Sequence, residues 1–142
     1  MKMNAYLNFK DNAREAMNFY AEVLGGKITA MMSFAEGGAG DYVPAEAHNN
    51  IMHACLEVNG QVLMASDDPS GTYAKPQGTW VCLHPDSVAD TERIFAALSE
   101  GGEVSMPLAN TGWAESYGQL TDRFGTPWML NYTGNAMEAA QA

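Results

Sequence analysis

The feature that most constrains the fold of this chain is an internal repeat. Two amphipathic helices are predicted over about residues 12–24 and 86–101. They superpose when Phe19 is placed on Phe95, a shift of 76 residues. The same shift brings the Gly-Gly pair that ends the first helix onto the Gly-Gly pair that ends the second. The chain is therefore predicted to contain two copies of one structural unit.

Both helices have clear sequence signals. Asn12 is predicted to cap the first helix, with Glu15 reaching back in a capping box, and Gly25 is predicted to end it. The second helix is predicted to begin near Asp86 or Ser87 and to bury one face. That face comprises Val88, Thr91, Ile94, Phe95 and Leu98.

Short apolar segments surround both helices. They are rich in β-branched and aromatic residues, which favours strands. The first copy has them at 5–9, 27–34, 51–58 and 61–67, and the second at 79–83, 103–108, 115–121 and 126–132. Each copy therefore has the order β-α-β-β-β, which predicts an α+β fold.

The two modules are predicted to form one domain. The chain has 142 residues, of which 46% are hydrophobic and 17% charged, which matches a single compact domain spanning 1–142. The modules cover about 4–67 and 79–132, with a linker at 68–78 and a C-terminal tail at 133–142. The polar, glycine-rich loop at 35–50 is predicted to act as a flap over a cavity.

Charge and cysteine content exclude several classes of function. The net charge of −10 disfavours nucleic acid and anionic membranes as partners. No apolar run reaches the ~20 residues of a membrane helix, and no signal peptide is evident, so a cytoplasmic protein is expected. Cys55 and Cys82 lie in apolar strand-like segments without a CxxC spacing and are predicted to be buried free thiols.

Several sequence stretches resemble a known superfamily. NAREAMNFYAEVLGG follows the first strand, and DRFGTPWMLNY closes the repeat. This tandem pattern resembles the vicinal oxygen chelate superfamily, which includes glyoxalase I, extradiol dioxygenases and the bleomycin and fosfomycin resistance proteins. TGWAESYGQLTDRFGTPWMLNY and RIFAALSEGG resemble its PhnB-like branch, often labelled demethylubiquinone methyltransferases. The resemblance implies an open concave sheet of eight strands, mixed in direction, around a cavity, often in a homodimer.

The resemblance also implies where a metal site would lie in this sequence. Members with metal chemistry place four ligands near the start of each module's first strand and in each module's last strand. The matching residues here are Ala5, Met64, Thr79 or Trp80, and Met129. None suits a divalent cation, which needs imidazole, carboxylate or thiolate donors, so no metal and no other cofactor are predicted. Glyoxalase, dioxygenase and fosfomycin-transferase chemistry are accordingly not expected.

The candidate site is defined by strand alternation. His53, Cys55 and Glu57 share one face of IMHACLEV, and Trp113, Glu115 and Tyr117 share one face of GWAESYGQ. The catalytic candidates are His53 and Glu115, as a general base or a ligand-orienting dyad. The alternative interpretation, which describes most such pairs, is a hydrogen-bonded structural histidine and a solvated glutamate on a strand. The predicted ligand-binding residues are His53, Met64, Trp80, Trp113, Glu115, Tyr117 and Met129.

The three tryptophans have two interpretations. Trp80, Trp113 and Trp128 would suit a pocket that stacks a flat ligand, or they are core residues. A methyltransferase using S-adenosylmethionine is not expected, because the GGAG at 37–40 does not connect a parallel strand to a helix.

Two functions remain open after the sequence analysis. One is a metal-independent protein that binds a small molecule, in the manner of the bleomycin-binding relatives, whose acidic surface holds a cationic drug. The other is an isomerase, lyase or transferase that uses His53 and Glu115, with or without an unusually placed divalent metal.

Overall fold

The computed structural model describes residues 1–136. The chain divides into two compact units, Met1–Lys75 and Pro76–Ala142. The prediction that the tail frays or forms a short helix falls largely on residues 137–142, which lie outside the described residues.

Each unit contains one helix and four strands. The first unit comprises β1 (Ala5–Phe9), α1 (Ala13–Leu24), β2 (Lys27–Ser33), β3 (Ile51–Val58) and β4 (Gln61–Asp67). The second comprises β5 (Val81–Leu83), α2 (Val88–Ser99), β6 (Glu103–Ala109), β7 (Ser116–Thr121) and β8 (Pro127–Tyr132). The β-α-β-β-β order is therefore confirmed in both copies.

Each unit folds into its own four-stranded mixed sheet. The strand orders are β1-β4-β3-β2 and β5-β8-β7-β6. In both, the first and last strands of the unit pair in parallel, while the remaining neighbours are antiparallel. The predicted α+β class is confirmed, and the structural repeat follows from the sequence repeat.

In the first unit, α1 packs mainly on β3. The buried helix residues are Ala13, Ala16, Met17, Tyr20 and Val23. The predicted capping box is wrong, because Asn12 makes no side-chain capping hydrogen bond within residues 1–136. Instead the buried carboxylate of Asp67 accepts hydrogen bonds from the N–H groups of Ala13 (2.9 Å) and Ile51 (2.8 Å). One carboxylate thus joins the start of α1 to the start of β3.

In the second unit, α2 packs mainly on β7. Ser87 caps the helix, since its hydroxyl accepts a hydrogen bond of 3.0 Å from the Asp90 N–H. Thr91, Ile94, Phe95 and Leu98 are buried as predicted. The prediction for Val88 is wrong: it is the first residue of α2 and remains exposed.

The Gly-Gly pairs explain why each helix is followed so closely by a strand. Gly25 and Gly101 have φ angles of 67° and 73°, which glycine adopts without strain. Gly26 lies against the carbonyl oxygen of Glu57, and Gly102 lies against that of Thr121. In each pair, the first glycine allows the turn and the second lets the chain approach the neighbouring strand closely.

The loop between β2 and β3 contains two short 3-10 helices, Gly40–Tyr42 and Ala45–Ala47. Its base is closed by backbone hydrogen bonds of 3.0 Å from Phe34 to Asn50 and from Ala35 to His48. Its role as a flap stays a prediction. Within residues 1–136, no helix has the length and apolar character required to cross a membrane.

Candidate functional site

Each sheet has one face covered by its own helix and a second face that its helix does not cover, here called the helix-free face. Strand alternation and register assign residues to these faces. In the first unit, Leu56 and Ala65 are buried on the side of α1. Tyr6, Met64 and Cys55 lie side by side on the helix-free face, since Met64 is opposite both Tyr6 and Cys55. The helix-free faces carry most of the candidate residues.

A tyrosine–histidine pair marks the helix-free face of the first unit. The hydroxyl of Tyr6 lies 3.2 Å from Nδ1 of His53, and the ring centroids are 5.9 Å apart. Tyr6 is 52% exposed. Met32 is opposite His53 in the register, so a thioether flanks the imidazole. The pair combines a hydrogen-bonding imidazole and phenol with an apolar, polarizable surface.

An aromatic and amide cluster marks the helix-free face of the second unit. The rings of Trp113 and Tyr117 meet edge to face with centroids 5.3 Å apart. The Tyr117 hydroxyl accepts a hydrogen bond of 3.0 Å from Nε2 of Gln119. Met129 is opposite Gln119, and Asn131 is opposite Tyr117. This surface offers an aromatic platform beside amide donors and acceptors.

Glu115 is engaged within its own unit. Its Oε1 accepts a hydrogen bond of 2.9 Å from the Asn135 N–H, and its own N–H donates to the Thr133 carbonyl at 3.3 Å. Its carboxylate also lies against Gly134, where a Cβ would be 2.6 Å from Oε1. His53 belongs to the first unit and has Tyr6 as its partner. The His53–Glu115 dyad stays a prediction.

The three tryptophans divide between core and surface. Trp128 is fully buried at 0% exposure, and its Nε1 donates a hydrogen bond of 2.8 Å to Oδ2 of Asp122. Trp80 and Trp113 are 42% and 49% exposed. The core interpretation therefore applies to Trp128, whereas Trp80 and Trp113 are partly exposed and their role in a ligand pocket stays a prediction.

The superfamily's divalent metal does not fit the residues at the corresponding positions. In the first unit, the strand register pairs Met64 with Tyr6, whereas Ala5 pairs with Leu63. Within residues 1–136, no three His, Cys, Asp or Glu side chains form a group that could hold a metal ion. A phenol and thioethers are poor ligands for divalent cations that polarise substrate oxygens.

Sequence reasoning missed one feature of the second unit. Thr79 and Trp80 precede β5, and the residue level with Met129 is Cys82. Its Sγ lies 3.5 Å from Nε2 of His84. Cys82 is exposed and Cys55 is half-buried, so the prediction that both thiols are buried is wrong; partial desolvation nevertheless raises the pKa of the Cys82 thiol. The i, i+2 spacing of Cys82 and His84 in a strand was the available signal, since it places both side chains on one face.

Comparison with known proteins identifies the family. The family model described as 3-demethylubiquinone-9 3-methyltransferase matches residues 1–131. The chain belongs to that family. It is also similar to the protein YjdN of Escherichia coli K12, with 30% identity over 139 residues, covering 92% of this chain and 95% of YjdN.

Solved structures agree with this family assignment. Protein PA1353 from Pseudomonas aeruginosa is 44% identical, with a TM-score of 0.86, over 93% of this chain and 97% of that chain. The fosfomycin resistance protein FosX from Mesorhizobium loti is 10% identical, with a TM-score of 0.63, over 100% and 98% of the two chains, and shares the fold alone. The predicted PhnB-like, vicinal oxygen chelate relationship is confirmed.

Proposed function

We propose that this protein binds a flat aromatic small molecule on the helix-free face of its second unit without requiring a divalent metal. The observation that carries the proposal is Trp113, which is 49% exposed although its indole is already oriented by edge contact with Tyr117. A large aromatic side chain held in place but open to solvent is a preorganised stacking surface.

The neighbouring groups indicate how such a ligand would be oriented. The side chain of Gln119 holds the Tyr117 hydroxyl at 3.0 Å. The amide oxygen of Gln119 remains available as an acceptor, and Met129 on the next strand supplies an adaptable apolar contact. On the helix-free face of the first unit, His53 likewise supplies a polar group and Met64 an apolar contact.

Charge restricts the class of ligand further. The chain has 17 acidic and 7 basic side chains, giving a net charge of −10. The resulting negative potential raises the local concentration of cations and repels phosphates and phosphonates. A cationic or neutral aromatic ligand is therefore favoured. The protein is proposed to act as a homodimer in the cytoplasm.

A ligand screen by thermal shift tests the proposal, since a ligand that binds only the folded state raises the Tm. Matched cationic, neutral and anionic versions of the same aromatic compounds would be compared on protein treated with a chelator. We expect cationic or neutral compounds to raise the Tm and to quench tryptophan fluorescence. Binding that appears only after a divalent metal is added back would contradict the proposal.

The Trp113 variants localise the site. Trp113→Ala should weaken binding by about tenfold, while Trp113→Phe should retain most of the affinity because a ring remains. Val104→Ala is the matched control, because Val104 is also exposed (43%) but lies in β6. Equal losses in Trp113→Ala and Val104→Ala would show that the effect is not specific.

A second candidate function is supported by the Tyr6–His53 contact. An imidazole next to a phenol hydroxyl can relay a proton, which suits an isomerase or lyase. The engagement of Glu115 with Asn135 gives no support for its role as the second member of a dyad. Methyl transfer from S-adenosylmethionine is not proposed, since GGAG at 37–40 lies in a turn that leads into a 3-10 helix.

A further inference from the structure

Cys82 lies in β5 and His84 directly follows this strand, and both side chains are of types that can bind metal ions. Sγ of Cys82 lies 3.5 Å from Nε2 of His84. Cys82 is a free thiol, and both residues are exposed to solvent. Because β5 is the outermost strand of its sheet, an ion can reach the pair from solution.

The separation of the two donor atoms matches coordination of a single ion. A metal about 2.3 Å from sulfur and about 2.0–2.1 Å from nitrogen places the two donors about 3.5 Å apart at a tetrahedral angle and about 3.8 Å apart at a trigonal angle. The pair therefore needs only a small movement of the side chains to bind one ion through both donors.

A third donor lies on the adjacent strand. Met129 in β8 is directly opposite Cys82 in the parallel register, so both side chains project from the same face. Met129 is only partly buried. Its thioether is a soft donor of the same kind as the thiolate.

We propose that Cys82, His84 and Met129 form a binding site for a soft monovalent metal ion, Cu(I). Two sulfur donors and one imidazole select a soft ion. Three donors complete the coordination that Cu(I) accepts, whereas structural Zn²⁺ almost always requires four. The site lies within the second unit and does not depend on the proposed function.

The first unit provides a natural comparison. There Cys55 is opposite Met64, and His53 is two residues from Cys55. However, Nδ1 of His53 is 3.2 Å from the Tyr6 hydroxyl. The ring of His53 is thus oriented by Tyr6, and the described residues of the first unit show no sulfur–nitrogen contact like that between Cys82 and His84.

A competition titration tests the site. Tag-free protein would be titrated anaerobically, with ascorbate as reductant, against a Cu(I) complex of a chromophoric chelator. Loss of chelator absorbance should show one Cu(I) per chain. Cys82→Ser should abolish this uptake, and Met129→Leu should weaken it by about tenfold. X-ray absorption of the complex should show sulfur and nitrogen neighbours.

Cys55→Ser is the matched control and should take up Cu(I) as the unmodified chain does. Urea unfolding midpoints would confirm that all three variants are folded. The proposal is overturned if the protein takes no Cu(I) from the chelator, if Cys82→Ser binds as well as the unmodified chain, or if Cys55→Ser loses binding. Unchanged affinity in Met129→Leu would overturn the three-donor assignment.

Discussion

The hydroxyl of Tyr6 lies 3.2 Å from Nδ1 of His53, although the two residues are 47 positions apart in the sequence. The rings are inclined at 31°, with centroids 5.9 Å apart. A hydrogen bond at Nδ1 fixes how the imidazole is oriented and leaves Nε2 available. Tyr6 is thus a positioning residue for His53. The pairing of strands in the first sheet brings these two candidate-site side chains together.

Tyr6→Phe should alter the ring of His53 selectively. The variant keeps the aromatic ring and removes the hydroxyl, so Nδ1 loses its partner. We expect the side-chain ¹⁵N resonances of His53 to shift in NMR spectra, while those of His48 and His84 remain unchanged. An identified ligand that contacts His53 should bind about fivefold more weakly, which corresponds to the loss of one hydrogen bond.

The three histidines of the chain make this measurement self-controlled. His53→Gln would assign the affected resonance. Unchanged His53 resonances in Tyr6→Phe would contradict the contact, and shifts in all three histidines would indicate a general change of structure.

Local signals in the sequence predicted the elements but not their partners. The strands at 51–58 and 61–67 have the predicted bounds, because their apolar character and turn residues are encoded locally. The cap of α1 was predicted wrongly because Asp67, 54 residues from Ala13, supplies the acceptor. No local pattern contains that information.

The candidate site shows the same limit. Alternation correctly grouped Trp113 with Tyr117, which are in ring contact. It could not distinguish the exposed Trp113 from the fully buried Trp128, because Trp113 lies in the loop before β7 whereas Trp128 lies within β8. The Cys82–His84 contact was not predicted because the predicted strand ended at residue 83, so His84 was not treated as a strand residue.

The stability of the protein should decrease as the pH rises through the range in which Asp67 ionises. Burial raises the pKa of Asp67 above its ordinary value of 3.8, against the hydrogen bonds from Ile51 and Ala13, which lower it. The folded state therefore binds this proton more tightly than the unfolded state. The resulting stabilisation is fully present below pH 3.8 and is lost as the pH rises through the folded pKa.

Asp67→Asn isolates this contribution, because asparagine does not titrate. The difference in unfolding free energy, unmodified minus variant, should decrease in urea denaturation as the pH rises above 3.8, the ordinary pKa of this group. Asp68→Asn is the control, for which the pH dependence of this difference should have the opposite sign. The Ser70 hydroxyl lowers the pKa of Asp68, so the corresponding difference should increase with pH. A flat or rising profile for Asp67 would contradict the prediction.

Asp122 should be the most sensitive polar position of the second unit. It is 3% exposed, and its Oδ1 accepts hydrogen bonds from the N–H groups of Phe124 (2.8 Å) and Thr126 (3.0 Å). Its Oδ2 accepts from the indole of Trp128. Asp122→Ala leaves these buried donors without that acceptor and should lower the unfolding free energy by about 3 kcal/mol.

Asp122→Asn retains one oxygen for the two backbone N–H groups and should cost about half as much. Asp86→Ala, at an exposed position before α2, should change the free energy by less than about 0.5 kcal/mol. Urea denaturation followed by tryptophan fluorescence measures all three. A loss in Asp122→Ala no larger than that in Asp86→Ala would refute the role given to this carboxylate.

Alanine substitutions in the first Gly-Gly pair should separate backbone conformation from close packing. At Gly25, with φ of 67°, a Cβ would meet no described atom within 4 Å, so Gly25→Ala should cost about 1 kcal/mol through backbone strain alone. At Gly26, a Cβ would lie 2.7 Å from the Glu57 carbonyl oxygen. Because backbone atoms of β3 cannot move aside independently, Gly26→Ala should cost about 3 kcal/mol.

The second unit supplies an independent test of the same relationship. Gly101 has φ of 73°, and a Cβ on Gly102 would lie 2.9 Å from Cα of Asp122. Gly102→Ala should therefore destabilise the chain more than Gly101→Ala, in the same order as Gly26→Ala and Gly25→Ala. Urea denaturation of the four variants gives the comparison. If the first glycine were the more sensitive member of either pair, the two helix ends would not be structurally equivalent, and the repeat would hold for the order of elements only.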